Sequence, residues 1–258
     1  MLNGQWELAE AGNDRLCEVQ VPGSVLSGLY GAGKIEDPFY RTNEDVTREL
    51  FRKDYEFSRT FVAAEDILKE EKIILVCEGL DTLADIYING QKAGSADNMH
   101  RTWKLDVKEF LHSGENQIRI VFRSVFKYIE AYEYEDNKEI HYVPCGGMKG
   151  NQLIRKAHCM FGWDLGPPRP LMPGIFRDIY LEAYSHPRIE DVKITQVHGD
   201  NAVDVCTTVA VSGDAVDKCQ VRVTIQEDAE SVCGHRTGAN DRKTEAHVCK
   251  VGGDCISE

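Results

Sequence analysis

Apolar and polar residues alternate over most of the first 184 residues. Tyr55, Phe57, Arg59 and Phe61 occupy every second position, Ile118, Ile120 and Phe122 do the same, and Lys72 to Glu78 is a short apolar run. A period of two sends successive side chains to opposite faces, so each segment predicts a strand with one buried face. Ala84 to Asn89 is a further strand, with Ile86 and Ile88 facing one way and Tyr87 the other. It runs into Asn89-Gly90, the strongest short hairpin signal, because both central residues of such a turn take positive φ.

Two stretches break the period. Ser24 is placed to cap a short helix in which Val25, Leu26 and Leu29 share a face and which Gly31 ends. Val125 to Asp136 predicts a second, with Phe126, Ile129 and Tyr132 to bury. Strands at close intervals with few helices predict an all-β chain built as a β-sandwich.

Ser185-His186-Pro187 marks a boundary. Gly174 to Tyr184 reads as a strand, and the pattern restarts after Pro187 with Val192, Ile194 and Val197, then Val203 to Val211, then Cys219 to Ile225. The expected domains are 1–185 and 186–258. The second is short for an immunoglobulin-like sandwich, which takes ~100 residues, and apolar content falls from Gln226 onward. An incomplete immunoglobulin-like sandwich with a mobile tail from about 226 is therefore expected.

Composition narrows the function. Hydrophobic content of 42% and charged content of 28% suit a globular core, and no apolar run approaches the ~20 residues that cross a bilayer. A net charge of −13 repels nucleic acid and anionic lipid, so neither is an expected partner. The nine cysteines form no CxxC pair, which leaves zinc unsupported, and neither a metal nor a cofactor is expected. Scattered thiols and a start without a secretory signal point to the cytoplasm.

The candidate chemistry is concentrated in Phe161-Gly162-Trp163-Asp164-Leu165-Gly166-Pro167. The Trp163 face suits the C–H face of a sugar ring, and the Asp164 carboxylate can accept hydrogen bonds from neighbouring hydroxyls. The plainer alternative is a buried Trp163 with Asp164 as a turn former.

Three strings occur in one order: VPGSVLSGLYGAGKIEDPFYRTNE at 21–44, EGLDTLADIYINGQKAGSADNMHRTWKLDV at 78–107, and RKAHCMFGWDLGPP at 155–168. Their order and wording resemble the N-terminal region of the β-mannosidases of the second glycoside hydrolase family, from about residue 2 to about 197. The resemblance implies a jelly-roll, galactose-binding-like domain, then an immunoglobulin-like domain, then a TIM barrel. In such enzymes two glutamates of the barrel hydrolyse terminal, non-reducing β-linked mannose with retention, which needs carboxyl groups ~5–5.5 Å apart. A barrel takes ~250 residues of its own and does not fit within this sequence. The chain is accordingly expected to hold no catalytic residue, to be inactive alone, and to depend on the barrel as its partner.

The resemblance places the family's Trp-Asp pair on Trp163 and Asp164 and its preceding basic pair on Arg155 and Lys156. It implies that Asp164 accepts hydrogen bonds from hydroxyls of a β-mannoside or manno-oligosaccharide, with Trp163 closing the pocket wall. Arg155 is expected to orient a carboxylate, the alternative being a surface ion pair. This chain has Leu165 where the family commonly shows a second Trp. The loop from Glu36 to Asn43 also matches; Asp37-Pro38 followed by Phe39 and Tyr40 reads mainly as a turn with a hydrophobic anchor. Asp97 to Trp103 reads as a structural corner, with His100 on the surface. The rival function is a free-standing carbohydrate-binding module, in which Trp163, Trp103 and tyrosines supply stacking faces.

Overall fold

The computed structural model describes residues 1–132, 151–157, 160, 173–199, 203–213, 220–227, 230–234 and 244–247. The chain forms two compact units, Met1–Ala183 and Tyr184–Glu258.

The first unit opens with β1 (Gly4–Glu10), β2 (Arg15–Val21), the two-residue β3 (Gly23–Ser24), α1 (Val25–Gly31) and α2 (Asn43–Leu50). There follow β4 (Tyr55–Ala63), α3 (Glu65–Leu68), β5 (Lys72–Cys77), β6 (Leu80–Asp81), β7 (Ala84–Ile88), β8 (Gln91–Ala96) and β9 (Trp103–Asp106). It continues with β10 (Gly114–Phe122), α4 (Val125–Ala131), β11 (Gly174–Ile175) and β12 (Ile179–Tyr184). One six-stranded sheet has the order β2-β1-β4-β10-β7-β8, and two three-stranded sheets have the orders β12-β5-β9 and β3-β11-β6. Beside the sequential pairs β1–β2 and β7–β8, neighbours such as β4 and β10 or β12 and β5 lie far apart in sequence, which makes this a sandwich with long connections, as the first domain's resemblance implies.

The predicted alternation is realised as burial. Tyr55 and Phe57 of β4, Ile86 and Ile88 of β7, and Ile118, Ile120 and Phe122 of β10 all point into one core, which they share with Ile73, Leu75 and Cys77 of β5. Phe57 and Phe122 meet edge to face at 5.4 Å, a favoured aromatic geometry. Each such side chain removed from water contributes about 1.5–3 kcal/mol. Arg59 occupies an inward position at the sandwich end, where its guanidinium donates to the Leu2 carbonyl at 2.8 Å and the Asn3 carbonyl at 2.5 Å. The chain start is held there further by the Leu2 N–H, which donates to the Ile179 carbonyl at 2.8 Å.

Local signals account for the turns and caps. The β7–β8 hairpin turns on Asn89 (φ 49°) and Gly90 (φ 80°), both left-handed. The Asn89 amide donates to the Phe110 carbonyl and to Asn116 Oδ1, and its own Oδ1 accepts from the Gln117 N–H at 2.8 Å. At α1, Ser24 Oγ accepts from the Ser27 N–H at 3.1 Å while Ser27 Oγ accepts from the Ser24 N–H, a reciprocal cap. The second predicted helix ends at Ala131; the remainder of its expected span, from 133, lies outside the described residues.

In the second unit β13 (Arg188–His198) pairs with β14 (Val203–Ser212), which pairs with β17 (Thr244–His247), and β15 (Val223–Glu227) forms a separate antiparallel pair with β16 (Glu230–Gly234). Regular strands therefore continue past 226, where the apolar pattern fades. Ladder hydrogen bonds come from the backbone and need no side-chain alternation.

Candidate functional site

Trp163 and Asp164 lie outside the described residues. The structure does describe both flanks of the segment that carries them, at 154–157 and 173–175.

The leading flank is set by packing on either side of one exposed residue. Ile154 is buried against Leu83 and Val125, Arg155 is exposed, and Lys156 is buried again. The backbone of Arg155 forms a parallel bridge with Asn98, and its carbonyl accepts from the Met99 N–H at 3.0 Å. Met99 Sδ in turn accepts from the Ala157 N–H at 3.2 Å. Among the described residues the Arg155 side chain has no ion pair. The cation of this pair that orients a carboxylate is Lys156, whose ammonium donates to Asp81 Oδ2, with the two side chains 1% and 4% exposed. Asp81 Oδ1 accepts from the Thr82 hydroxyl. Burial pushes the Lys156 ammonium below its ordinary range, and the Asp81 charge opposes that shift. Sequence reasoning gave Lys156 no separate role. The signal available was its position two residues after Ile154, on the side that packs inward.

The trailing flank is β11. Gly174 pairs with Asp81 in β6 and with Ser24 in β3, and the Pro173 carbonyl accepts from the Val25 N–H at 2.9 Å. A side chain at Gly174 has no room: a Cβ there would stand 2.4 Å from the Gly23 carbonyl oxygen. The space beside the ion pair is a cavity of about 10 Å³ lined by residues that include Phe51, Thr82, Ser124 and Pro173. That is room for one water at most, so this cavity does not admit a sugar ring.

The other expected positions are described. Asp37 Oδ1 accepts from the Phe39 N–H at 2.9 Å, and Asn43 Nδ2 donates to the Asp37 carbonyl at 2.8 Å, so the turn forms. Its hydrophobic anchor does not: Phe39 is 78% and Tyr40 54% exposed. The Asp97–Trp103 stretch is a corner in which Asn98 Oδ1 accepts from the His100 N–H and the Asn98 carbonyl accepts from the Trp103 indole at 3.1 Å. His100 is exposed. The Arg101 guanidinium lies 4.4 Å from the centre of the half-buried Trp103 ring, which leaves that ring a poor stacking face for sugar. A larger groove, of about 630 Å³ between β2 and α1, is lined by Arg15, Glu18, Gln20 and Ser27 among others and contains no aromatic residue. Among the described residues no cluster of three metal-ligating side chains occurs.

The antiparallel sandwich of the first unit is that of a galactose-binding-like domain. The chain belongs to the glycosyl hydrolase 2 galactose-binding domain-like family, whose model matches residues 6–177. It is 31% identical over 206 residues to the β-mannosidase of Mus musculus, covering 78% of this chain and 23% of that protein. It is 28% identical over 232 residues to the β-mannosidase of Capra hircus, with 83% and 26% covered. The solved β-D-mannosidase of Dictyoglomus thermophilum matches with a TM-score of 0.75 at 27% identity, over 97% of this chain and 30% of that one. A β-D-glucuronidase of the same organism matches with a TM-score of 0.58 at 15% identity, a likeness of fold alone. The chain spans about a quarter of the length of the curated relatives it matches.

Proposed function

We propose that these residues are the N-terminal, non-catalytic part of a β-mannosidase, and that they supply one wall of the subsite for terminal β-linked mannose. Asp164 accepts hydrogen bonds from mannose hydroxyls and Trp163 closes the wall. Cleavage is the work of two carboxylates on a barrel that these residues do not include. The observation that supports this reading is the sequence match to β-mannosidases, 31% identity to that of Mus musculus over 78% of this chain. The likeness to the β-D-glucuronidase, at 15% identity, is one of fold alone.

The test is an assay of the purified 258-residue chain on a chromogenic β-mannoside. No turnover is expected, and calorimetry with mannose should find at best a millimolar dissociation constant, as suits half of a subsite. Clear turnover that disappears when a carboxylate of this chain is replaced would overturn the reading.

A further inference from the structure

The outward face of the six-stranded sheet carries a pocket of about 210 Å³ over β2, β1, β4 and β10, far more than the ~10–15 Å³ that one water needs. Gln5, Glu7, Glu18, Ser58, Thr60 and Gln117 line it. They alternate with Trp6, Leu8, Val19, Phe57 and Ile118, which are buried in the core, so the period of two puts all six on the outside. Register then brings them side by side: Glu7 faces Glu18 on one neighbouring strand and Ser58 on the other, and Thr60 faces Gln117.

The charges at this pocket are engaged with one another or with the backbone. Two carboxylates placed directly opposite repel, and Arg15 holds them together, with Nη1 2.9 Å from Glu7 Oε1 and Nη2 2.7 Å from Glu18 Oε1. Arg59 donates to the Leu2 and Asn3 carbonyls, and Arg119, next along the sheet, is taken up by Glu56 at 3.2 Å and by the Tyr87 ring at 4.3 Å. What remains without a hydrogen-bond partner among the described residues is the second oxygen of each of Glu7 and Glu18, the hydroxyls of Ser58 and Thr60, and the carboxamides of Gln5 and Gln117. This set mixes donors with acceptors and holds no free cation. An anion would meet two carboxylates there, and an apolar ligand would meet no apolar wall, since Trp6 is 2% exposed. We infer that the pocket binds one ring of a neutral sugar, whose hydroxyls each donate and accept. The free carboxylate oxygens accept from hydroxyls, and the carboxamides bridge neighbouring ones. With no ring to stack on, affinity rests on a few hydrogen bonds of modest net worth, which sets the dissociation constant at about 1–10 mM. The inference does not rest on the subsite reading above.

The test is an NMR titration of the 258-residue chain, isotopically labelled, with methyl β-D-mannoside, followed at the side-chain amides of Gln5 and Gln117. Both signals should move and saturate in the millimolar range. Thr60→Val and Gln117→Met, which keep shape on an exposed face, should each weaken binding about fivefold, the worth of one hydrogen bond. Asp164→Ala should leave the two signals moving as before, whatever it does to the subsite. Signals that do not saturate, equal affinity in both pocket variants, or a larger response to spermidine, a cation drawn by Glu7 and Glu18 alone, would each overturn the assignment. Loss of the response in Asp164→Ala would overturn it too, and would place the sugar at the subsite instead.

Discussion

Strands β10 and β13 carry similar sequence patterns and have opposite fates. In β10, Ile118, Ile120 and Phe122 occupy every second position and are at most 1% exposed. In β13, Val192 and Ile194 alternate in the same way and are 48% and 62% exposed. Their ladder partners on β14, Val209 and Thr207, are buried at 2% and 4%. One face of a single strand pair is thus covered on one strand and open on the other. Alternation states which side chains point together; whether anything lies over them depends on elements far away in sequence.

The largest expected contrast is between matched substitutions in the two strands. Ile120→Ala should cost about 2–5 kcal/mol, through lost burial and the cavity left behind. Lys156→Met tests the polar interior beside that core: it strands a buried carboxylate and should cost about 3–5 kcal/mol, whereas Asp81→Leu/Lys156→Met should restore most of it. Denaturant titration followed by Trp fluorescence reads these changes, since Trp6, Trp103 and Trp163 all belong to the first unit.

Alkaline pH is the next lever. Burial pushes the Cys77 thiol, ordinarily near 9.0, up to about 12, and the Tyr55 phenol, ordinarily near 10.0, also to about 12. Both folded values are raised, so each group's contribution is intact below its unfolded pKa and is lost as pH climbs toward 12. For Cys77 the slope between 9 and 12 is about 1.4 kcal/mol per pH unit. Cys77→Ala should flatten stability against pH in that window. An unchanged slope would mean that the thiol ionises freely in the fold.

The smallest effect belongs to β13. Ile194→Ala should change stability by no more than about 0.5 kcal/mol, as read by hydrogen exchange on β13 itself. A cost equal to that of Ile120→Ala would break the comparison and mean that β13 is covered in solution. Should copies of the chain associate through this strand, Ile194→Lys would lower the sedimentation coefficient.

What the sequence discloses follows the range of the forces involved. β4, β7, β10, the Asn89-Gly90 turn and the Ser24 cap are legible because each rests on residues a few positions apart. The paired two-residue strands Gly23–Ser24 and Leu80–Asp81 are too short to carry a period and exist only through partners far along the chain, while the strand expected over Gly174 to Tyr184 is divided into β11 and β12, which join different sheets. Helix α2 also escapes notice, since Thr42 precedes it without a side-chain cap. At the candidate site, Arg155 and Lys156 are equal as sequence. Only the inward course of the chain after Ile154, and an aspartate 75 positions away, separate them.

The Asn89 turn has a consequence for the ageing of the protein. An asparagine followed by glycine loses ammonia when the glycine nitrogen attacks the side-chain amide carbon, closing a ring that water then opens to aspartate or its isomer. In the fold both ends of that amide are occupied, by the Phe110 carbonyl, Asn116 and the Gln117 N–H, and ring closure would require these hydrogen bonds to be given up. Mass spectrometry of stored samples should find Asn89 intact in folded protein and converted in chains kept unfolded. The hairpin that orders two strands thereby also acts as the molecule's preservative.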